Sequence, residues 1–224
     1  MKDYYSEKLS AERLRKAYEL SPPRAKQYLE AEIRFVLDKI HSRAVVLELG
    51  CGYGRVLERL TERARRVIGI DTSLASLMIA RRSKRCSGVP LATMDALHLG
   101  FPDQCFDLVV CIQNGISAFN VDQEQLVREA LRVTRSGGKI LFSSYSEHFW
   151  EDRLDWFRMQ SKHGLLGDID EEATGDGVIV CKDGFRATTL GPEDFMALAS
   201  KIGIHPKITE VDGSSIFCEM DVKK

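Results

Sequence analysis

The side chains best suited to hold a ligand stand where short apolar runs end. The run Val45-Val46-Leu47-Glu48-Leu49-Gly50-Cys51-Gly52-Tyr53-Gly54 places an acid at its end and then a glycine at every second position. Glycine lets the backbone turn sharply and lets a ligand approach without meeting a Cβ. Later runs end the same way. Asp71-Thr72 follows the apolar stretch 66–70, Asp95 follows 90–94, and Gln113-Asn114 follows 106–112. Open α/β sheets bind ligands at the carboxyl ends of their strands, so these residues belong to one crevice. An acid about 20 residues beyond the first glycine can take both hydroxyls of a ribose, and Asp71 has that place. Asp71, Thr72 or Ser73 equally suits the N-cap of the helix that follows.

The glycine spacing excludes one large class. A dinucleotide fingerprint, G-x-G-x-x-G, sets a helix N-terminus against a pyrophosphate. Counted from Gly50 its third glycine falls on Arg55, and counted from Gly52 it falls on Leu57. The pattern present is E-x-G-x-G-x-G, which resembles the first motif of class I S-adenosylmethionine-dependent methyltransferases. The likeness extends over about residues 30–145, with Gly100 and Ser136 standing where proline is frequent. It implies an α/β, Rossmann-like, seven-stranded, mostly parallel sheet with an antiparallel last strand and helices on both faces. It implies an N-terminal helical lid over 1–40, and a donor-binding domain over 41–224 with a substrate-side insertion at about 146–190. S-adenosylmethionine is the implied cofactor. Its aminocarboxypropyl and ribose parts are expected on Glu48, Gly50, Cys51, Gly52 and Gly54, and its ribose on Asp71 and Thr72. The adenine is expected by Met94, Asp95 and Ala96, and the methionine moiety by Gln113 and Asn114, with Tyr18 closing from the lid.

The elements needed to position these residues are legible from periodicity. Helical spacing runs from about residue 11, breaks at Ser21-Pro22-Pro23, and resumes over 24–39. Strands and helices then alternate: strands at 44–49, 66–70, 90–94, 106–112 and 139–144, helices at 55–63, 74–85 and 123–134. Such alternation gives a parallel sheet covered on both faces. The stretch 146–190 breaks the rhythm and holds a β-hairpin around Lys182-Asp183-Gly184. A helix over 192–202 and two strands joined at Asp212-Gly213 complete the chain.

Composition fits an ordinary globular domain: 224 residues, 44% hydrophobic, 29% charged and a formal net charge of -1. That balance offers no global basic field for a nucleic-acid backbone. The six cysteines show no C-x-x-C and no metal spacing, so a reduced, cytoplasmic compartment and no metal are expected. The N-terminus lacks an apolar signal region, and no apolar run is long enough to span a bilayer.

Candidates for the methyl acceptor lie outside the motifs. Tyr4 and Tyr5 suit a lid whose rings shield the site. His148 lies in the range of a general base and equally suits a surface histidine. Trp150 follows the fifth strand, and Arg186 on the hairpin suits an acidic substrate or open solvent. Transfer from a sulfonium needs mainly positioning and exclusion of water, so no fixed base is required. The leading expectation is a methyltransferase for a small-molecule acceptor, with no membrane or nucleic-acid partner and an open oligomeric state. The alternatives are a methyltransferase for protein or tRNA, and a donor-binding module without transfer activity.

Overall fold

The apolar runs become strands because each is followed at once by a turn, and the stripes between them become helices that cover the sheet. A computed structural model of the chain describes residues 9–223, so Tyr4 and Tyr5 lie outside the described residues. Two helices come first, α1 (Ala11–Glu19) and α2 (Pro23–Leu37). The alternating core follows: β1 (Val45–Leu49), α3 (Arg55–Leu60), β2 (Arg66–Asp71), α4 (Leu74–Arg82), β3 (Leu91–Thr93), β4 (Phe106–Cys111), the short α5 (Gly115–Ala118), α6 (Gln123–Val133) and β5 (Thr134–Tyr145). After β5 come a 3-10 turn (Glu147–Phe149), α7 (Trp150–Lys162), β6 (Ile179–Val180) and β7 (Arg186–Ala187). The chain closes with α8 (Pro192–Ile202), β8 (Lys207–Val211) and β9 (Ser215–Asp221).

Seven strands form one sheet in the order β3-β2-β1-β4-β5-β9-β8. Strands β1 to β5 pair in parallel, and β9 inserts antiparallel between β5 and β8. This is the Rossmann-like sheet with an antiparallel last strand that the resemblance implied. The order reverses between β1 and β4, which opens a crevice at their carboxyl ends.

Strand periodicity divides the core. Leu47, Leu49, Val109, Ile140 and Phe142 face α6 and α8 through Leu126, Ala130, Phe195 and Leu198. Val46, Val67, Val110, Leu141 and Phe217 face α2 and α3 through Ile33, Val36, Leu57 and Leu60. A further cluster joins α1, α7 and the β6–β7 hairpin. Among the described residues no helix is long and apolar enough to cross a membrane.

Two readings of the sequence are corrected. The stretch 146–190 is not only irregular, since it contains the 13-residue helix α7. Its apolar stripe is hard to see because two polar residues face inward, Arg153 at 1% exposed and Gln160 at 4%. Arg153 is satisfied there by the carbonyls of Gly177 and Ala187. The hairpin is also shorter than its apolar runs suggest: only Ile179–Val180 and Arg186–Ala187 pair.

Candidate active site

The carboxyl ends of β1, β2, β3 and β4 open into one cavity of about 350 Å³. Glu48, Gly50, Cys51, Gly52, Asp71, Thr72, Met94, Asp95, Ala96, Gln113 and Asn114 all line it, as does Tyr18 from α1. Gly54 lies behind this wall. It starts α3 at φ 90°, and a Cβ there would sit 2.8 Å from Cys86 Sγ. Gly50 turns at φ 70°, and a Cβ on it would come within 2.5 Å of the Phe119 ring. Both positions therefore demand glycine for conformation and for space.

Asp71 ties the first two strand ends together. Its Oδ2 accepts from the Gly52 N–H at 2.8 Å and its Oδ1 from the Ser73 N–H at 2.7 Å. The cap of α4 is made by Ser73, whose hydroxyl accepts from the Ser76 N–H. The helix cap therefore falls to Ser73, while Asp71 bridges the ends of β1 and β2. At the start of α1, Ser10 occupies the N-cap position without a side-chain capping bond. The Ala11 N–H donates instead to Ser76 Oγ at 2.9 Å.

Glu48 is 4% exposed, and its Oε2 has no hydrogen-bond partner among the described residues. Burial pushes its carboxyl up to about 8, with Arg55 pulling it back and Asp71 adding to the rise. A second buried acid, Glu32 on α2, reaches the end of β4. Its Oε2 accepts from the Gln113 N–H at 2.6 Å and from the Ser143 hydroxyl at 2.9 Å. Burial pushes Glu32 up to about 7, against the pull of its hydrogen bonds and of Arg55. Gln113 and Asn114 both adopt the left-handed conformation, at φ 59° and 63°. Two such non-glycine residues persist only where the surroundings hold them, and Glu32 with Ser143 is part of that hold.

The side chains at this turn have different roles. The Asn114 amide is occupied at both ends: it donates to Thr188 O at 3.0 Å and accepts from the Ser144 hydroxyl at 2.8 Å. The Gln113 carbonyl oxygen accepts from Arg55, while its Nε2 is without a partner among the described residues. Arg55 also stacks 4.5 Å from the centroid of Tyr18.

Asp95 lies at the exposed rim, where Oδ1 accepts from the Leu97 N–H at 2.9 Å. His148 is placed elsewhere. It does not line the cavity, its side chain is 65% exposed, and its Nδ1 lies 2.7 Å from Glu210, which holds the imidazole above its ordinary value. The general-base reading of His148 is corrected on that ground: its partner is a surface carboxylate. Trp150 packs under Arg153 and Arg186 is exposed on β7, and neither lines the cavity.

Sequence reasoning missed Arg55, Phe119, Tyr145, Phe157 and Gln160, all of which line the cavity, as does Trp156, which the sequence placed among the candidates after the fifth strand. Trp156, Phe157 and Gln160 come from the unanticipated α7. Trp156 also locks that helix to α1, its Nε1 donating to Ala17 O at 3.1 Å.

Comparison with known proteins agrees with this geometry. Residues 47–142 match a family described as a methyltransferase domain. A span of 109 residues is 37% identical to a demethylmenaquinone methyltransferase of Thermobifida fusca (strain YX), covering 47% of this chain and 45% of the relative. A span of 107 residues is 32% identical to a ubiquinone biosynthesis O-methyltransferase of Pseudomonas fluorescens (strain SBW25), covering 46% and 45%. The chain thus spans about half the length of the curated relatives it matches. The crystal structure of the PH0226 protein from Pyrococcus horikoshii OT3 superposes over 100% of both chains with a TM-score of 0.69 at 22% identity, a likeness of fold. The glycine motif, the strand order and the matched segment together mark residues 47–142 as similar to the methyltransferase domain of class I S-adenosylmethionine-dependent methyltransferases.

Proposed function

We propose that the chain transfers a methyl group from S-adenosylmethionine to a small-molecule acceptor. The observation that carries this reading is the convergence of Glu48, the loop 50–53, Asp71, Asp95 and Gln113 on one cavity. Asp71, at the carboxyl end of β2, takes the ribose hydroxyls beside Thr72. Met94, Asp95 and Ala96 flank the adenine. The turn of Gly50, Cys51 and Gly52 cradles the sugar and the methionine tail. Glu48 Oε2 and Gln113 Nε2, buried without partners among the described residues, fit an acceptor and a donor for the polar end of that tail. When bound, S-adenosylmethionine supplies a methyl group on a sulfonium, which an acceptor lone pair takes in line as the carbon–sulfur pair leaves on sulfur.

The chain's own residues position and exclude water. Residues 1–40 act as a lid and 146–190 as the acceptor-side insertion. Leu14, Ala17 and Tyr18 of α1 line the cavity, and Arg13 of α1 donates to the carbonyls of Gly164 and Leu165 at 2.8 and 3.0 Å. That closure supports a small acceptor over a macromolecular one. The curated relatives include quinone-pathway methyltransferases by name, which supports the same choice. Six free cysteines, five of them buried, fit a reducing cytoplasmic setting.

The test is formation of S-adenosylhomocysteine from S-adenosylmethionine with panels of small phenols, carboxylates and amines, run beside bulk tRNA and unfolded protein. Turnover with a small-molecule panel is expected. Turnover only with a macromolecule would reject the acceptor class.

A further inference from the structure

One side of the cavity is a wall of rings. Tyr18, Tyr145, Trp156 and Phe157 line it, with the Tyr18 and Trp156 centroids 6.0 Å apart. Tyr28 backs this wall from α2, 5.2 Å from Tyr145 and 6.5 Å from Trp156. Two polar side chains face the same space without a partner of matching kind.

The first is Arg55. Its contacts are neutral: the Gln113 amide oxygen and the face of Tyr18 at 4.5 Å. It forms no ion pair among the described residues, whereas the half-buried Arg59 and Arg132 pair with Glu30 and Glu129 at 2.7 and 2.8 Å. The acids that feel its charge are Glu48 and Glu32, and burial pushes them up to about 8 and about 7. The hydroxyls of Tyr18 and Tyr53 also feel its charge. The second is Gln160. It is 4% exposed, it lines the cavity, and its side-chain amide has no hydrogen-bond partner among the described residues. Gln160 stands one helical turn beyond Trp156, so the two share a face of α7.

We propose that this chamber is the acceptor subsite and that it takes a planar aromatic compound carrying a carboxylate. The ring lies against Tyr18 and Trp156, the carboxylate pairs with Arg55, and a polar ring substituent meets the Gln160 amide. The proposal rests on the reading of the cavity as a methyl-transfer site. A planar guanidinium matches a carboxylate through two parallel hydrogen bonds. Rigid rings give a flat acceptor a large contact area at low entropic cost. A neutral aliphatic acceptor leaves the part-buried guanidinium without an anionic partner and the Gln160 amide without a polar one, which selects against it.

A carboxylate can also come from the methionine tail of the methyl donor, and calorimetry separates the two sources. The probes are S-adenosylhomocysteine, methylthioadenosine (which lacks the carboxylate), and, at saturating S-adenosylhomocysteine, protocatechuate against catechol. The proteins are wild type, Arg55→Met, Arg55→Lys and Gln160→Leu, each checked for folding by thermal melting. Wild type is expected to prefer protocatechuate over catechol by about 10-fold or more. Arg55→Met is expected to erase that preference and to bind S-adenosylhomocysteine within about 3-fold of wild type, and Arg55→Lys to keep part of the preference. Gln160→Leu is expected to weaken both ring probes alike. Loss of S-adenosylhomocysteine but not methylthioadenosine affinity in Arg55→Met overturns the proposal, because the guanidinium then holds the donor. So does an unchanged carboxylate preference in that variant, or the failure of both ring probes to bind wild type that still binds S-adenosylhomocysteine. Failure of wild type to bind S-adenosylhomocysteine removes the methyl-transfer reading itself, and the subsite with it.

Discussion

Glu48 makes the unliganded protein less stable as pH rises. Its carboxyl titrates near the ordinary 4.5 in the unfolded chain and is pushed up to about 8 by burial in the folded one. Between those values the folded state binds the extra proton, so the unfolded state gains on it with each increment of pH. The stability is fully present below the unfolded value and is lost by the time pH passes the folded value. The gap from 4.5 to about 8 corresponds to a ceiling of about 5 kcal/mol, reduced in practice by relaxation and water entry. Glu32, raised from 4.5 to about 7, adds a loss of the same sign with a ceiling of about 3 kcal/mol. The perturbation is Glu48→Gln, which keeps the shape and removes the titration. The assay is the urea midpoint of unliganded protein from about pH 5 to about pH 9. Wild type should lose several kcal/mol across that range, and Glu48→Gln should lose distinctly less, keeping the Glu32 part. Parallel profiles for the two proteins would refute the reasoning, since the difference between them isolates this one group.

Other consequences are open to direct measurement. Asp71→Ala removes the acceptor of the Gly52 and Ser73 amides and the proposed ribose contact, so affinity for S-adenosylhomocysteine should fall by about 30-fold or more. A folded variant with unchanged affinity in calorimetry would remove Asp71 from the site. Gly50→Ala combines a positive φ with a Cβ 2.5 Å from the Phe119 ring, and should cost about 2–4 kcal/mol. Its thermal midpoint should drop by about 5–15 °C, and a midpoint equal to wild type would contradict the packing. His148→Ala should leave S-adenosylhomocysteine affinity and turnover within about 2-fold, because the ring meets Glu210 on the surface. A turnover loss of about 100-fold would restore the base role.

What the sequence made legible was local chemistry. Glu48, the alternating glycines and Asp71 announce themselves because turn geometry and strand ends constrain residue type over a few positions. The order of the central strands follows from repeated alternation, whereas the place of β9 between β5 and β8 depends on pairing across 70 residues or more, and the family likeness alone indicated it. The acceptor side was hidden. Arg153 and Gln160 are polar residues on the buried face of α7, so the helix lacks a clean apolar stripe. Glu32 looks like one more charge on α2 until it is counted against Ala25, Tyr28, Leu29, Ile33 and Val36, the residues that share its buried face. That count, four residues on from Tyr28, was the available signal. Arg55 carried a fainter one, a cation one position after the last glycine of the loop.

Direct titration of the wild-type protein with S-adenosylhomocysteine tests the central claim. One site per chain with a dissociation constant on the order of micromolar is predicted. A well-folded protein that takes up no heat and shows no thermal stabilisation at about 1,000 times that concentration would contradict the account.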